Sequence, residues 1–480
     1  MTSLSDLKHK QILVLGAGIT GLSCARYLSA LDLCFAVNDS RVNPFTSNYN
    51  EQEFSKDFPT ASLHLGKWHQ ELIAKADIIL ISPGINSELD EIKLHINTHC
   101  QVMGDVELFC QLNQERIKPI DILALTGSNG KSTVVSLLAY LAKCLGVKAQ
   151  LGGNIGQPVL DIFTDEIVNT HTSTNNDLPE FLILELSSFQ LETLTSMQAI
   201  ATSVLNVSDD HLDRHQTMEN YIQIKQSIYH QGKVAIINRD DAATNTPNPS
   251  QATISIGSDA PAENEFGVTV ENNKAYLAFG KQNLIALEEL PLAGMHNALN
   301  YLTALAFGYC TGWSLAKLVD NLAGFTGLAH RCQRIKTQDR ITWINDSKAT
   351  NIGATLAAIN GLAQTLTSEG NTKPRLILIA GGDGKGADFT PLSAPFSQYV
   401  SQVITLGKDG DSIANIVVNQ ANVSKVKSLH EAVQVAKAHA QAGDVVLLSP
   451  ACASLDMFKS FVDRGEQFMA AVTLLTEESL

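Results

Sequence analysis

The stretch ILALTGSNGKSTVVSLLAYLAKCLG, residues 122–146, limits what this chain can fold into more than any other. An apolar strand passes through a glycine turn directly into an amphipathic helix that begins Lys131, Ser132, Thr133. Gly127 and Gly130 let the backbone N–H groups around Asn129 converge on an anion. The helix N-terminus adds partial positive charge, Lys131 adds a full one, and the Ser132 hydroxyl suits Mg2+. The spacing is shorter than GxxxxGK[ST], because Leu125 stands where the first glycine would and Gly127 is the only earlier glycine of the loop. A chance GSNGKS in a surface turn would lack the strand before it and the unbroken helix after it. The motif therefore predicts binding of a nucleoside triphosphate, ATP or GTP.

Length and charge bound the rest. A chain of 480 residues with 44% hydrophobic content fits about three domains with buried cores. Asp and Glu number 49 against 34 Lys and Arg, a formal charge of −15 that repels polyanions and argues against nucleic acid or an anionic membrane surface as partner. The eight cysteines form no CxxC pair, which suits a reducing cytoplasm. MTSLSDLKHK lacks the apolar core of a signal peptide, and no apolar run reaches the length of a membrane span. A soluble, cytoplasmic protein acting as a monomer is the expectation.

Three α/β units follow one another. Residues 1–109 alternate short strands (QILVL, CFAVN, ADIILIS, QVM) with helical stretches, as a parallel sheet requires. The pattern restarts over 110–327 with the glycine-turn strand, FLILEL and ATSVLNV. Polar stretches near 165–180 and 241–275 read as surface loops or hairpins. Residues 328–480 carry ITWIN, RLILIAGG, QVITLG and DVVLLSP, each separated by enough chain for a crossover helix.

The first unit holds a GxGxxG match, GAGITG (Gly16, Gly18, Gly21), directly after a strand, with Asp39 at the end of the next. Taken alone it reads as a dinucleotide fold, its acid on a ribose. A nucleotide-tagged substrate meets the same physics, as does a purely structural turn, and the second loop at 127–132 weighs for the tagged substrate over a redox cofactor. Ser82 follows a strand where ligands of such sheets collect.

Candidates for metal and catalysis also stand at strand ends. Glu185 closes FLILEL one crossover after the glycine turn, where a carboxylate suits Mg2+; capping of the next helix is the plainer reading. His211, in DDHLDRH, is either part of a solvated charge run or an imidazole facing a second metal or a phosphate. Lys225 lies three or four positions from Tyr221, Ile222, Ile228 and Tyr229, on an apolar stripe. A lysine there either snorkels or, desolvated and neutral, adds CO2 to become a carbamate ligand. Asn297 and Asn300 share a helix face able to read an adenine edge or to cap the helix. Arg331, Asp346, Lys348 and Lys385 place charge at strand ends of the third unit.

TGSNGKST, ELSSFQLE, DDHLDRH, GMHNALN, AHR, NDSKATN, GGDGKGADF and SPACASLDMF, in this order along nearly the whole chain, closely resemble the ATP-dependent Mur ligases of peptidoglycan synthesis. The resemblance implies an α/β protein of three domains: a Rossmann-like N-terminal domain for a UDP-sugar, a central P-loop ATPase domain, and a Rossmann-like C-terminal domain for the incoming amino acid. It implies UDP-N-acetylmuramoyl-L-alanine and D-glutamate as substrates, ATP as the nucleotide and two Mg2+ ions. Ile19, Thr20, Asp39, Ser40, Ser82 and Asn154 would face the UDP-sugar. Lys131, Ser132 and Thr133 would grip the phosphates. Ser132 and Glu185 would hold one Mg2+, and His211 with a carbamylated Lys225 the other. Asn297, Asn300, Arg331 and Asp346 would contact the rest of ATP, and Lys348, Thr350, Lys385, Ser454 and Phe461 would surround D-glutamate and the transferred acyl group. The polar insertion near 165–180 has no counterpart in the resemblance.

What the resemblance implies chemically is phosphorylation of a carboxylate to an acyl phosphate, attack by an amine, and release of phosphate. Folylpolyglutamate synthase shares the ATPase core but not the glycine-rich N-terminal domain. A nicotinamide-dependent oxidoreductase built on GAGITG, or a nucleotide switch, would leave one anion loop and the charged clusters of the third unit without a role.

Overall fold

The computed structural model describes residues 7–45, 49–172, 178–292, 294–368, 376–417 and 422–477. Its first sheet contains β1 (Ile12–Leu15), β2 (Phe35–Asp39), β3 (Ala61–Leu65), β4 (Ile78–Ile81) and β5 (Gln101–Met103), all parallel, in the order β3-β2-β1-β4-β5. ILVL and IILI are buried along their whole length, as strands covered on both faces must be. The order reverses between β1 and β4, so the turns after those strands, GAGITG and Ser82, flank the crevice where ligands of such sheets bind.

The second sheet is also parallel: β6 (Asp121–Thr126), β7 (Ala149–Gly153), β8 (Phe181–Glu185), β9 (Ala199–Val204), β10 (Gly232–Asn238) and β11 (Ala252–Ile256), in the order β11-β10-β9-β6-β8-β7. The helix Lys131–Cys144 leaves the end of β6 and buries Val134, Val135, Leu138 and Leu141 against Tyr301, Leu302 and Leu305 of the helix Met295–Cys310. Each such side chain contributes about 2 kcal/mol, so the turn between strand and helix is held from both sides. A small antiparallel sheet, β12 (Phe266–Glu271), β13 (Lys274–Phe279) and β14 (Gln282–Ala286), covers one end of this core.

The third large sheet holds β15 (Gln333–Ile335), β16 (Thr342–Asn345), β17 (Leu376–Gly381), β18 (Val400–Leu406), β19 (Asn422–Lys425) and β20 (Val445–Leu448) in the order β15-β16-β20-β17-β18-β19, with only β15 antiparallel. Alternate residues feed two cores: Ile344, Leu378 and Leu447 on one face, Trp343, Ile377, Ile379 and Val446 on the other.

The first and second sheets are joined through the helices Ile19–Ala30 and Val159–Thr172. Asp161 accepts from Ser23 Oγ (2.9 Å) and from Arg26 Nε (2.9 Å) and Nη2 (2.6 Å). The helix Asp105–Gln114 runs through position 109 and seals the same joint with Phe109, stacked on Phe163.

β3, β7, β10, β15 and β19 lie outside the strands expected from sequence, and all but β10 are sheet edges, where half-exposed polar residues hide the pattern. Of the polar stretches, 165–172 continues a helix, 173–177 lies outside the described residues, and 241–275 folds into β11, β12 and the start of β13. No helix among the described residues is long and apolar enough to cross a membrane, and all eight cysteines are free.

Candidate active site

The carboxyl ends of β6, β8 and β9 face the unit built on the third large sheet across a cleft of about 1110 Å3. Its lining includes Asn129, Gly130, Lys131, Ser132, Thr133, Asn154, Glu185, His211, Lys225, Asn297, Asn300, Arg331, Asp346, Lys348, Thr350 and Lys385. Residues scattered over more than 250 positions of sequence are thus brought to one surface.

The glycine turn is rigidly held. Asn129 N–H donates to Asn206 Oδ1 (2.8 Å), its carbonyl accepts from Asn206 Nδ2 (3.1 Å), and Ser128 N–H donates to the Asn206 carbonyl (2.9 Å). Gly130, with φ +84°, packs so tightly that a Cβ there would stand 2.5 Å from Asn300 Oδ1. Lys131 Nζ donates to the carbonyls of Gly127 (2.6 Å) and Ser128 (2.9 Å), which tethers the cation beside the cradle. Burial lowers its pKa, with Glu185 and Asp210 acting in the opposite sense.

Glu185 ends β8 almost completely buried. Its Oε1 accepts from Asn154 Nδ2 (2.9 Å), while Oε2 has no protein partner among the described residues. A buried carboxylate oxygen left open at a cleft is a cation ligand in waiting, because leaving it bare is costly. Lys225 is 1% exposed, with Nζ 3.1 Å from the Gly127 carbonyl, 3.4 Å from Thr126 Oγ1 and 4.6 Å from the centre of the Tyr221 ring. Burial and then the nearby Lys131 push its ammonium well below the ordinary lysine range. The snorkelling alternative is excluded, since the head group itself is buried. His211 adopts φ 54°, with its Nε2 3.6 Å from Asp210 Oδ2 and its ring against Phe189. Among the described residues no cluster of three or more His, Cys, Asp and Glu side chains could enclose a metal. Mg2+ needs none, because it takes one or two carboxylates and completes its shell with phosphate oxygens and water.

On the far wall, Asn300 Nδ2 donates to Asn297 Oδ1 (3.2 Å). Asp346, at the end of β16, accepts from Cys332 N–H (3.1 Å) and Ser449 Oγ (2.8 Å), and burial raises its pKa to about 6. Arg331 sits between His330 and Cys332, both at positive φ, and so is turned into the cleft. Lys348 Nζ lies 4.2 Å over the Phe461 ring; burial, Arg331 and Lys131 lower its pKa to about 8. Ser454 is buried, its carbonyl accepting from the N–H groups of Met457 and Phe458. Neither Ser454 nor Phe461 lines the large cleft itself.

The N-terminal candidates gather separately, at the crevice of the first sheet. Ile19 is 72% exposed, an apolar side chain presented to solvent beside exposed Ser40 and partly exposed Thr20. Ser82 Oγ is buried without a hydrogen-bond partner among the described residues. Asp39 is 2% exposed and its carboxylate is filled by the chain itself: Oδ1 accepts from Arg41 N and Nε, Oδ2 from Ala17 N and Arg41 Nη2. It therefore braces the glycine loop. Asn154 lies apart from this crevice, in the large cleft, with its Nδ2 on Glu185.

Residues outside the candidate set also shape the site. Asn206 holds the glycine turn, and its place just past β9 was the available signal. Tyr221 bridges Ser128 Oγ (3.3 Å) and the Lys225 head group. Arg464, 2% exposed, donates to Ser347 Oγ and to the carbonyls of Ser347 and Cys452, tying the segment before Lys348 to the one before Ser454.

Family models match along the chain in the same order as the sheets: Mur ligase MurD-like, N-terminal domain over residues 10–104, Mur ligase middle domain over 125–308, and Mur ligase, glutamate ligase domain over 330–452. A UDP-N-acetylmuramoylalanine--D-glutamate ligase of Colwellia psychrerythraea is 57% identical over 98% of both chains, and one of Legionella pneumophila strain Paris is 40% identical over 97% of this chain and 99% of its own. Among solved structures, a MurF ligase of Thermotoga maritima in complex with ADP shares the fold with a TM-score of 0.61 at 14% identity, covering 93% of this chain and 96% of its own. The UDP-N-acetylmuramate-alanine ligase MurC of the same organism does so with a TM-score of 0.59 at 14% identity, over 97% and 100%. With family models over most of its length and a relative at this identity from end to end, the chain belongs to the Mur ligases, a family of ATP-dependent amide ligases.

Proposed function

We propose that this enzyme joins D-glutamate to the L-alanine carboxyl of UDP-N-acetylmuramoyl-L-alanine, in the cytoplasm, with cleavage of ATP to ADP and phosphate. The relatives named for that reaction support the choice of substrates. The observation that carries the reading is the single cleft in which loop cation, open carboxylate and buried lysine face the charged strand ends of the third sheet. The functional division is 1–109 for the UDP-sugar, 110–327 for ATP and 328–480 for the amino acid.

ATP is a reactant, its phosphates lying along the N–H groups from Gly127 to Thr133 with Lys131, Ser132 and Thr133 on their oxygens. Asn297 and Asn300 take the adenine side, Arg331 and Asp346 the ribose and phosphates. One Mg2+ would be held by Ser132 and Glu185 and a second by His211 and Lys225 as its carbamate; both would offset the charge of the reacting anions. The substrate carboxylate attacks the γ-phosphorus, the bond to the bridging oxygen breaks, and ADP leaves with the electron pair. The D-glutamate amine, having lost a proton, attacks the acyl carbon of the acyl phosphate, and the tetrahedral intermediate expels phosphate to leave the amide.

The chain's contribution is to hold charge in place before it develops. Lys131 and Arg331 face the transferring phosphoryl group, and Lys348 and Lys385 supply positive charge for a dicarboxylate amino acid, with Thr350 beside them and Phe461 and Ser454 behind the cleft wall. Enclosure between the second and third sheets excludes the water that would hydrolyse an acyl phosphate. Ile19, Thr20, Ser40 and Ser82 serve the uridine nucleotide, while Asp39 acts indirectly through the loop it braces.

Phosphate release from ATP, measured with UDP-N-acetylmuramoyl-L-alanine and a panel of amino acids, tests the reading. Release that requires the UDP-substrate together with D-glutamate, and forms an amide, is the expected result. Release with another amino acid alone, or without the UDP-substrate, overturns it.

A further inference from the structure

One contact joins the glycine turn directly to the unit on the third sheet. Asn129 has its main chain fixed by Asn206, so its side chain projects to the other side of the turn. There its Nδ2 lies 3.4 Å from Ser208 Oγ, and its Oδ1 accepts from Asn351 Nδ2 at 3.3 Å, a residue 222 positions away. The Asn351 amide cannot turn round to make this bond with its other end, because its Oδ1 accepts from Ala354 N–H (2.9 Å) and caps the helix Ile352–Ser368. Both ends of one amide are used: oxygen for the helix, nitrogen for the turn.

The fit around this bond leaves no slack. Gly353 sits in the first turn of that helix, and a Cβ on it would stand 3.0 Å from Ser208 Oγ and 3.3 Å from Asn129 Nδ2. The helix therefore abuts the same two side chains that Asn351 reaches. Thr350 and Lys348, immediately before Asn351, move with it, and both line the cleft.

We propose that Asn351 is a positioning residue that sets the offset between the phosphate-bearing turn and the amino-acid side of the cleft through its hydrogen bond to Asn129, with Gly353 providing the clearance. The inference rests on the ligase reading above. The acyl phosphate forms over the turn, whereas the attacking amine is delivered from the third sheet, and a displacement of about 1 Å between them is enough to cost two orders of magnitude in rate. ATP itself is gripped by the turn, so the loss falls on turnover rather than on nucleotide binding.

Asn351→Ser keeps a capping oxygen but is too short to reach Asn129. The expected result is a fall in kcat of about tenfold or more with KM for ATP within about twofold of the native value. A kcat within about twofold of native overturns the proposal, as does a KM for ATP that rises as far as kcat falls, which would mean a distorted turn. A double-mutant cycle with Asn129→Ala separates the bond from its surroundings: the double variant is expected to lose no more than the worse single one, and additive losses overturn the proposal. If Asn351→Ser does not fold, Gly353→Ala is judged by the same kcat and KM criteria, since its methyl group displaces the helix from the turn. Native enzyme that forms no amide sinks the ligase reading, whereas active native enzyme with an equally active variant sinks this inference alone.

Discussion

Lys225 shows how completely surroundings decide the chemistry of one side chain. With its head group buried and Lys131 nearby, the ammonium is disfavoured relative to the neutral amine, which is the form that adds CO2. Lys225→Ala is expected to lose about 100-fold or more in kcat and to regain part of it in acetate, a carboxylate that fits the vacated space. Enzyme equilibrated with 13C-bicarbonate should show a carbamate carbon by NMR that Lys225→Ala lacks; neither rescue nor signal would make Lys225 a plain lysine. Asp105 is the reverse case. Burial pushes its carboxyl from 3.8 to about 6, and its Oδ1 has no partner among the described residues. A folded pKa above the ordinary value means stability that is full below pH 3.8 and lost as pH rises through about 6. Asp105→Asn should therefore unfold at higher urea than the native chain at pH 7.5, by about 2–3 kcal/mol, and match it near pH 4. Equal midpoints at both pH values would show that Asp105 is not strained by its charge.

At the scale of elements, the turn between β6 and the helix Lys131–Cys144 was legible because its constraints are local. Gly130 stands at φ +84°, and alanine there costs about 1–2 kcal/mol in backbone conformation alone, before the clash with Asn300. Gly130→Ala is expected to weaken ATP binding at least about tenfold by calorimetry while leaving far-UV circular dichroism unchanged, because the strand and helix are anchored by their own cores. Unaltered ATP affinity would remove the turn from the binding site. β3, β7, β15 and β19 were not legible for the opposite reason: an edge strand borrows its stability from one neighbour and shows little alternation of its own. Asp39 shows the same limit. The motif fixes where the acid lies, but only the fold reveals that Arg41 and Ala17 occupy it.

For the whole molecule, the joints between units matter as much as the units. Asp161 receives Ser23 and a forked pair of bonds from Arg26, linking the first sheet's helix to the second sheet's. Asp161→Ala leaves the buried Ser23 hydroxyl without its acceptor and frees Arg26, at a cost of about 1–3 kcal/mol to that joint. Faster proteolysis near residues 115–120, between the helix Asp105–Gln114 and β6, is the expected readout, and an unchanged cleavage rate would mean that Phe109 and its neighbours hold the joint alone.

Three α/β units, the glycine turn and the strand-end places of Asp39, Ser82, Glu185 and Asp346 could be read from the chain alone, because glycine conformation, apolar runs and charges after strands are properties of a few adjacent residues. It takes the folded chain to show that Glu185 keeps one oxygen open, that Lys225 is fully buried, that Arg41 and Ala17 bond to Asp39 and that Asn351 meets Asn129. Those facts depend on what arrives from distant parts of the chain to surround a group, and desolvation and hydrogen-bond satisfaction are set by that surrounding rather than by the group itself.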